Sequence, residues 1–199
     1  MNSSVLSAAE AIVVWIAFIR CGWVVMGLAR QLVRWNRAIV NKWGWVETLA
    51  LPEPVLLAAA TFVLYRQPEA STGAFPIALP LVGAILAIAA LVLSLWAAWG
   101  IPSLSSGHYV LPDQQVVERG PYAWVRHPFY LGVFLIWLGL AAAYASLLVL
   151  AVTLAYVVPI YVLYVRSEEE MLQSQFGDEY RRYQARVGML LPRLWRRPS

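Results

Sequence analysis

The chain has 199 residues, of which 61% are hydrophobic and only 13% charged, and its mean hydropathy is +0.63. A soluble domain carries about 25% charged residues, so this composition argues against a water-soluble globule and for a surface largely covered by lipid. The net charge of +4 comes from 14 Arg and Lys42 against 11 acids, and the cations gather beside apolar segments, which suits membrane topology rather than nucleic-acid binding.

Several of the ten Trp stand near the ends of apolar runs, where indole rings favour the membrane interface. Cys21 is the single cysteine, which rules out an intrachain disulfide and a thiolate metal cluster, and no metal is expected. The N-terminus lacks the charged region and small-residue cleavage site of a signal peptide, so the first apolar run is expected to stay as a helix.

A crossing of the hydrocarbon core needs about 20 apolar residues. The first candidate covers residues 5–29, interrupted only by Glu10 and Arg20. The second, 43–65, contains Glu47, Pro52, Glu53 and Pro54, and proline within a helix predicts a kink. The third, 76–101, is uncharged. A polar stretch over 102–126 follows. The unbroken apolar run over 128–165 is too long for one crossing and suits two short ones joined by a tight turn at 143–146.

The reading is an all-α integral membrane protein with about five transmembrane helices, a C-terminal helical hairpin and cytoplasmic amphipathic helices. Residues 1–101 are expected to form three N-terminal transmembrane helices, and 102–199 to carry the candidate site.

Five crossings place the termini on opposite sides. Arg30, Arg34, Arg37 and Lys42 follow the first segment, and Arg166, Arg181, Arg182, Arg186, Arg193, Arg196 and Arg197 follow the last. The loop near Arg66 and Glu69 is balanced. The positive-inside rule then puts the N-terminus outside and the C-terminus in the cytoplasm, with the polar 102–126 stretch.

Polar capacity is concentrated between Gly107 and Pro192. Gly120-Pro121-Tyr122 precedes Arg126-His127-Pro128-Phe129-Tyr130-Leu131-Gly132. Beyond the hairpin stand Arg166-Ser167-Glu168-Glu169-Glu170, then Phe176-Gly177-Asp178-Glu179-Tyr180, Tyr183 and Arg186. Arg126 and His127 sit at the mouth of a helix whose first turn holds Pro128, where a missing N–H costs nothing and the free amides attract electron-rich groups. If the hairpin closes antiparallel, the glutamates face Arg126, His127 and Tyr130 across one pocket. Taken singly, each feature has a plainer reading: a membrane anchor, an interfacial histidine, a solvated helix turn. Tyr180, Tyr183 and Val187 share one face of an amphipathic helix.

In this order, from Gly-Pro-Tyr through Arg-His-Pro-x-Tyr-x-Gly and Glu-Glu to Phe-Gly-x-x-Tyr-x-x-Tyr and a final Pro, the motifs resemble the isoprenylcysteine carboxyl methyltransferase family. Membrane phospholipid N-methyltransferases are similar over the same region, about residues 107–194. The resemblance implies S-adenosyl-L-methionine as methyl donor, bound without a Rossmann domain. In agreement, no G-x-G-x-x-G follows a predicted strand.

It further implies that His127, Tyr130, Leu131 and Gly132 wrap the donor, with backbone over 116–122, including Val117, Gly120 and Tyr122, on its adenine side. Glu168 and Glu169 match the acidic pair that would take ribose hydroxyls or the ammonium, and Glu170 is expected to be solvated. Arg186 matches a position near the methyl acceptor, where a guanidinium can hold a carboxylate. Arg126, Glu169 and Arg186 are therefore the catalytic candidates. Tyr122 and Tyr130 are placed to face a sulfonium. Phe129 stands where eukaryotic members often carry Ser, and the compact length suits a prokaryotic member in the cell inner membrane.

The leading expectation is methyl transfer to the carboxylate of a lipophilic acceptor such as isoprenylcysteine, entering from membrane lipid. The alternatives are a phospholipid amine N-methyltransferase, in which Glu169 or His127 would serve as base, a nicotinamide-dependent membrane reductase, and a non-enzymatic membrane protein or small transporter. The oligomeric state is left open.

Overall fold

The computed structural model describes residues 2–34, 40–41, 44–66, 78–100, 109–110 and 114–193. Arg37, Lys42, Glu69 and Gly107, together with Arg196 and Arg197, lie outside them.

Eight α-helices carry the chain: α1 (Asn2–Arg34), α2 (Trp45–Ala50), α3 (Glu53–Tyr65), α4 (Ala78–Gly100), α5 (Pro128–Ala143), α6 (Leu147–Val152), α7 (Val158–Phe176) and α8 (Asp178–Arg186). Two-residue strands β1 (Val40–Asn41) and β2 (Tyr109–Val110) pair antiparallel, Val40 opposite Val110.

Among the described residues, four segments are long and apolar enough to cross a bilayer: Ser7–Gly27, Trp45–Tyr65, Ala78–Gly100 and Leu147–Phe176. The other expected crossing is α5, an apolar helix of 16 residues. At 1.5 Å per residue it covers about 24 Å, less than the ~30 Å hydrocarbon core. Trp15, Val55, Ile85, Trp99, Leu147 and Leu148 are all exposed, as helices facing lipid require. The protein is an all-α integral membrane protein.

The expected kink is the break between α2 and α3, where Leu51 and Pro52 form a turn and Pro54 occupies the first turn of α3. The hairpin turns where expected: α5 ends at Ala143, Ala145 takes a positive φ of 46°, and the Ser146 hydroxyl accepts from the Val149 N–H at the start of α6.

Helices α4 and α5 form the tightest seam. A Cβ on Gly83 would lie 2.6 Å from the Gly139 carbonyl oxygen, so the two backbones meet directly. Lipid tails offer no hydrophobic drive for helices to associate, and small residues permit the close packing that replaces it. Ala84, Ala87 and Ala90 continue this buried face.

A π-helical turn, Thr153–Val157, joins α6 to α7 in one rod. Pro159 follows it. Proline cannot donate to the carbonyl four residues back and crowds it, and the widened turn relieves that conflict.

The C-terminal end of α1, the β1–β2 ladder, the start of α2 and the end of α7 lie at one end of the bundle. There the Ser167 hydroxyl donates to Glu47 Oε1 at 3.2 Å, and the ladder joins the segment after α1 to the one before α5.

Candidate active site

The site forms where α5 begins, α7 ends and α8 folds back. Gly177, at φ 54° and ψ −125°, supplies a left-handed backbone that a side chain would resist, and α8 turns sharply off α7 there. Tyr180 and Tyr183, each 3% exposed, bury one face of α8, and the Tyr183 hydroxyl donates to the Tyr122 carbonyl at 2.8 Å. Burial pushes the Tyr183 phenol well above its ordinary pKa, so it stays a neutral donor.

The chain after α8 then runs beside the start of α5. Arg126 N–H donates to Gly188 O at 2.8 Å and His127 N–H to Met189 O at 3.1 Å. This parallel contact straps residues 187–190 beneath the pair of candidate residues.

Glu169 is the hub. Its Oε1 accepts from Arg126 Nε at 2.7 Å and lies 3.1 Å from His127 Nε2, while Oε2 accepts from Gln184 Nε2 at 3.0 Å. Arg126 Nη1 donates to the Gln184 carbonyl at 3.2 Å and to the Val187 carbonyl, capping the last turn of α8. Arg126 Nε and Nη1 and both Glu169 oxygens are thus spent on one another, on His127 and on α8.

Glu168 differs. Its Oε2 lies 3.6 Å from His127 Nδ1, beyond hydrogen-bond reach, and is buried with no hydrogen-bond partner. An unsatisfied buried carboxylate oxygen is costly, and it marks a place where a hydroxyl or ammonium donor fits. Glu170 is exposed, as expected of a solvated residue.

Aromatic rings wall this oxygen on the bilayer side. Tyr130 stacks on His127 with centroids 5.7 Å apart, and lies 5.7 Å from Tyr161 and 5.5 Å from Tyr164. Such ring faces attract a cation within about 6 Å. Tyr122 is buried, and burial followed by the charge of Glu168 pushes its phenol well above its ordinary pKa.

The remaining predicted residues do different things. Gly132 packs against α4: a Cβ there would meet Ser94 Oγ at 2.9 Å. Gly120 takes φ 62° at the start of the 3-10 turn Gly120–Ala123, against the Trp96 indole. Val117 and Leu131 are half-buried. Arg186 is 63% exposed and donates through Nη2 to both oxygens of Glu118, at 2.9 and 2.6 Å. Its Nε donates to the Arg182 carbonyl at 3.3 Å, and through Glu118 it fastens α8 to the segment before Gly120 at the rim.

Sequence reasoning missed Gln184, which accepts from Gln173 and donates to Glu169, and the wall residues Tyr161 and Tyr164. A tyrosine pair at i, i+3 just before the Glu pair was the available signal for the wall.

The phospholipid methyltransferase family matches residues 79–179, about half of the chain. The chain belongs to this family. The match takes in α4, α5, the long α6–α7 rod and Gly177, and thus His127, Tyr130, Glu168 and Glu169. The chain is also 43% identical over 77 residues to methanethiol S-methyltransferase 1 of Bradyrhizobium diazoefficiens, covering 38% of this chain and 25% of that protein. It is 41% identical over 79 residues to methanethiol S-methyltransferase of Pseudomonas deceptionensis, covering 39% and 29%. Against protein-S-isoprenylcysteine O-methyltransferase of Saccharomyces cerevisiae it is 37% identical over 86 residues, covering 40% and 34%. These matches span a quarter to a third of the relatives' own length. The resemblance to isoprenylcysteine carboxyl methyltransferases is borne out at the level of the family.

Proposed function

We propose that this protein is a membrane S-adenosylmethionine-dependent methyltransferase acting on a lipophilic acceptor, with the carboxylate of a molecule such as isoprenylcysteine as the leading candidate. The observation that carries it is the unpartnered Glu168 oxygen, buried between His127 and the tyrosine wall. One hydrogen-bond acceptor beside several ring faces fits a donor carrying both hydroxyl or ammonium groups and a sulfonium.

When bound, the donor supplies an already activated methyl group. The protein's part is alignment and exclusion of water. Glu168 Oε2 would accept a hydrogen bond from a hydroxyl or ammonium of the donor, the rings of Tyr130 and Tyr164 would attract its sulfonium, and His127 is held by Glu169. The strap at 187–190 and the Arg186–Glu118 pair close the water side.

The saturation of Glu169 bears on the acceptor. An ammonium must shed a proton before it accepts a methyl group, and Glu169 already serves three donors. A carboxylate arrives as a nucleophile and needs no base, which favours it over an amine or a thiol, each of which must first lose a proton. A thiol is the second reading, favoured by the names of the two bacterial relatives.

The orientation follows the charges. Arg30 and Arg34 end α1 at the same end of the bundle as the site, which supports a cytoplasmic active site, an exterior N-terminus and residence in the inner membrane of a prokaryotic cell.

Calorimetry with detergent-purified protein tests the donor. S-Adenosylmethionine should bind, and Glu168→Gln should weaken it by more than tenfold, since a charged hydrogen bond is worth about 1.5–3 kcal/mol. Binding of a nicotinamide dinucleotide instead would overturn the reading.

A further inference from the structure

Among α1, the α2–α3 break, α4, α5 and α7 lies a cavity of about 180 Å³. Its wall is mostly apolar, with Ile16, Trp23, Leu51 and Val133 among its residues, and Arg20 and Glu47 bring charge to it. Tyr130, Tyr161 and Tyr164 line it as well, so the rings beside His127 form part of its wall. Arg20 and the α2–α3 break lie outside the segment shared with the family.

An arginine at this depth in a membrane helix needs its charge and its N–H groups met. Its counter-ion is Glu53, which is 0% exposed, but Glu53 is better served by others. Oε1 accepts from the Trp137 indole at 2.6 Å and Oε2 from the Tyr161 hydroxyl at 2.9 Å. Arg20 reaches Oε2 through Nη2 at 3.4 Å, a long contact. Its other terminal nitrogen, Nη1, is buried with no hydrogen-bond partner. A pair built only to tie α1 to α3 would bring the guanidinium closer to the carboxylate and leave no donor over. Here two neutral donors satisfy the glutamate, and Arg20, a residue of the cavity lining, keeps hydrogen-bonding capacity in a terminal nitrogen that is buried.

We propose that the cavity holds the carboxylate head of a membrane-borne amphiphile, with Arg20 Nη1 donating to it and the apolar wall receiving the adjoining hydrocarbon. This rests on the reading that the acceptor is lipophilic and names the group that would choose it. A carboxylate at Arg20 would lie in the cavity that Tyr130, Tyr161 and Tyr164 also line. Arg20 is a specificity-determining residue: it selects an anionic head over a neutral one.

The test is the binding of a fluorescent polyene fatty acid, parinaric acid, and of its methyl ester to protein purified in neutral detergent at pH 8. The wild type should bind the acid at least tenfold more tightly than the ester. Arg20→Gln should bring the two within twofold of one another. Glu53→Gln, which leaves the Arg20 charge in place, should keep the preference and covers the case in which Arg20→Gln does not fold. Equal wild-type affinities for acid and ester, or a preference that survives Arg20→Gln, would overturn the proposal. Displacement by lysophosphatidic acid as effective as by the fatty acid would overturn the choice of carboxylate over phosphate. S-Adenosylmethionine binding is measured on the same samples. Its absence in the wild type would sink the methyltransferase reading while leaving the acid preference standing, so the two failures are distinguishable.

Discussion

Replacing Glu169 by glutamine should loosen α8, whereas the same change at Glu168 should leave α8 in place and empty the donor site. The difference comes from where the oxygens go. Glu169 accepts from Arg126, His127 and Gln184, and both it and Arg126 are about nine-tenths buried, at 12% and 8% side-chain exposure. A glutamine can keep one oxygen on Arg126 and His127, but it turns an NH2 toward the Gln184 Nε2. Gln184 must then rotate its amide, and its own bond with Gln173 is lost unless Gln173 rotates too.

Removing one partner of a buried ion pair costs about 3–5 kcal/mol. With geometry mostly kept, the loss is nearer that of one charge-assisted bond, about 2 kcal/mol, or a roughly 30-fold rise in the open population of α8. Trypsin reads this directly, because Arg181, Arg182 and Arg186 lie within α8 and are cut when it opens. Cleavage should quicken by roughly 30-fold in Glu169→Gln and by less than twofold in Glu168→Gln, with donor affinity reduced in both. Equal protease sensitivity in the two variants, or an α8 undisturbed in Glu169→Gln, would refute the assignment of Glu169 to positioning and Glu168 to the donor.

Gly83→Val should destabilise the α4–α5 seam severely, because even a Cβ would sit 2.6 Å from Gly139 O; thermal unfolding in detergent should show a markedly lower midpoint, by several kcal/mol of overpacking. Reporter fusions active only in the cytoplasm should score positive after Lys42 and after Ser199 and negative at Ser71; a positive at Ser71 would invert the proposed orientation. Arg186→Lys keeps the charge, and because one nitrogen, Nη2, meets both Glu118 oxygens, an ammonium can replace that contact; if Arg186 also holds the acceptor through its planar group, turnover should fall severalfold with donor affinity nearly kept, and a fully active lysine variant would leave it only the rim contact with Glu118.

Much of this architecture is legible in the sequence because lipid leaves few options. Apolar length fixes the spans, Pro52 and Pro54 mark the break between α2 and α3, and the 128–165 run is too long for a single crossing. The pairing of His127 with the Glu168–Glu169 pair is legible once the hairpin closes. What escapes is what depends on three-dimensional neighbours. Arg20 and Glu53 are 33 positions apart and look like two flaws in two apolar runs, yet they meet, with Trp137 and Tyr161, in one buried cluster. Gly132 looks like a place for a ligand to approach, but Ser94 approaches it. The exhaustion of Glu169 requires α8 to fold back far enough for Gln184 to reach it, a consequence of Gly177 that no local pattern announces.

The π-helical turn at Thr153–Val157 acts as a phase shifter between the two halves of a single rod. Each residue of an α-helix advances the azimuth by 100°, so the one extra residue in the widened turn decides which way everything beyond it points. Below the turn, Leu147 and Leu148 look outward to lipid; above it, Tyr161, Tyr164 and Glu168 share the bearing that faces α5. Tightening the turn to a regular α-helix without removing a residue would rotate the tyrosine wall and the Glu168 carboxylate relative to the hairpin by about a quarter of a revolution, whereas deleting the one extra residue would leave their bearing unchanged. The catalytic half of the rod and its lipid-facing half are therefore geared to one another by a single tooth, far from any atom that touches a substrate.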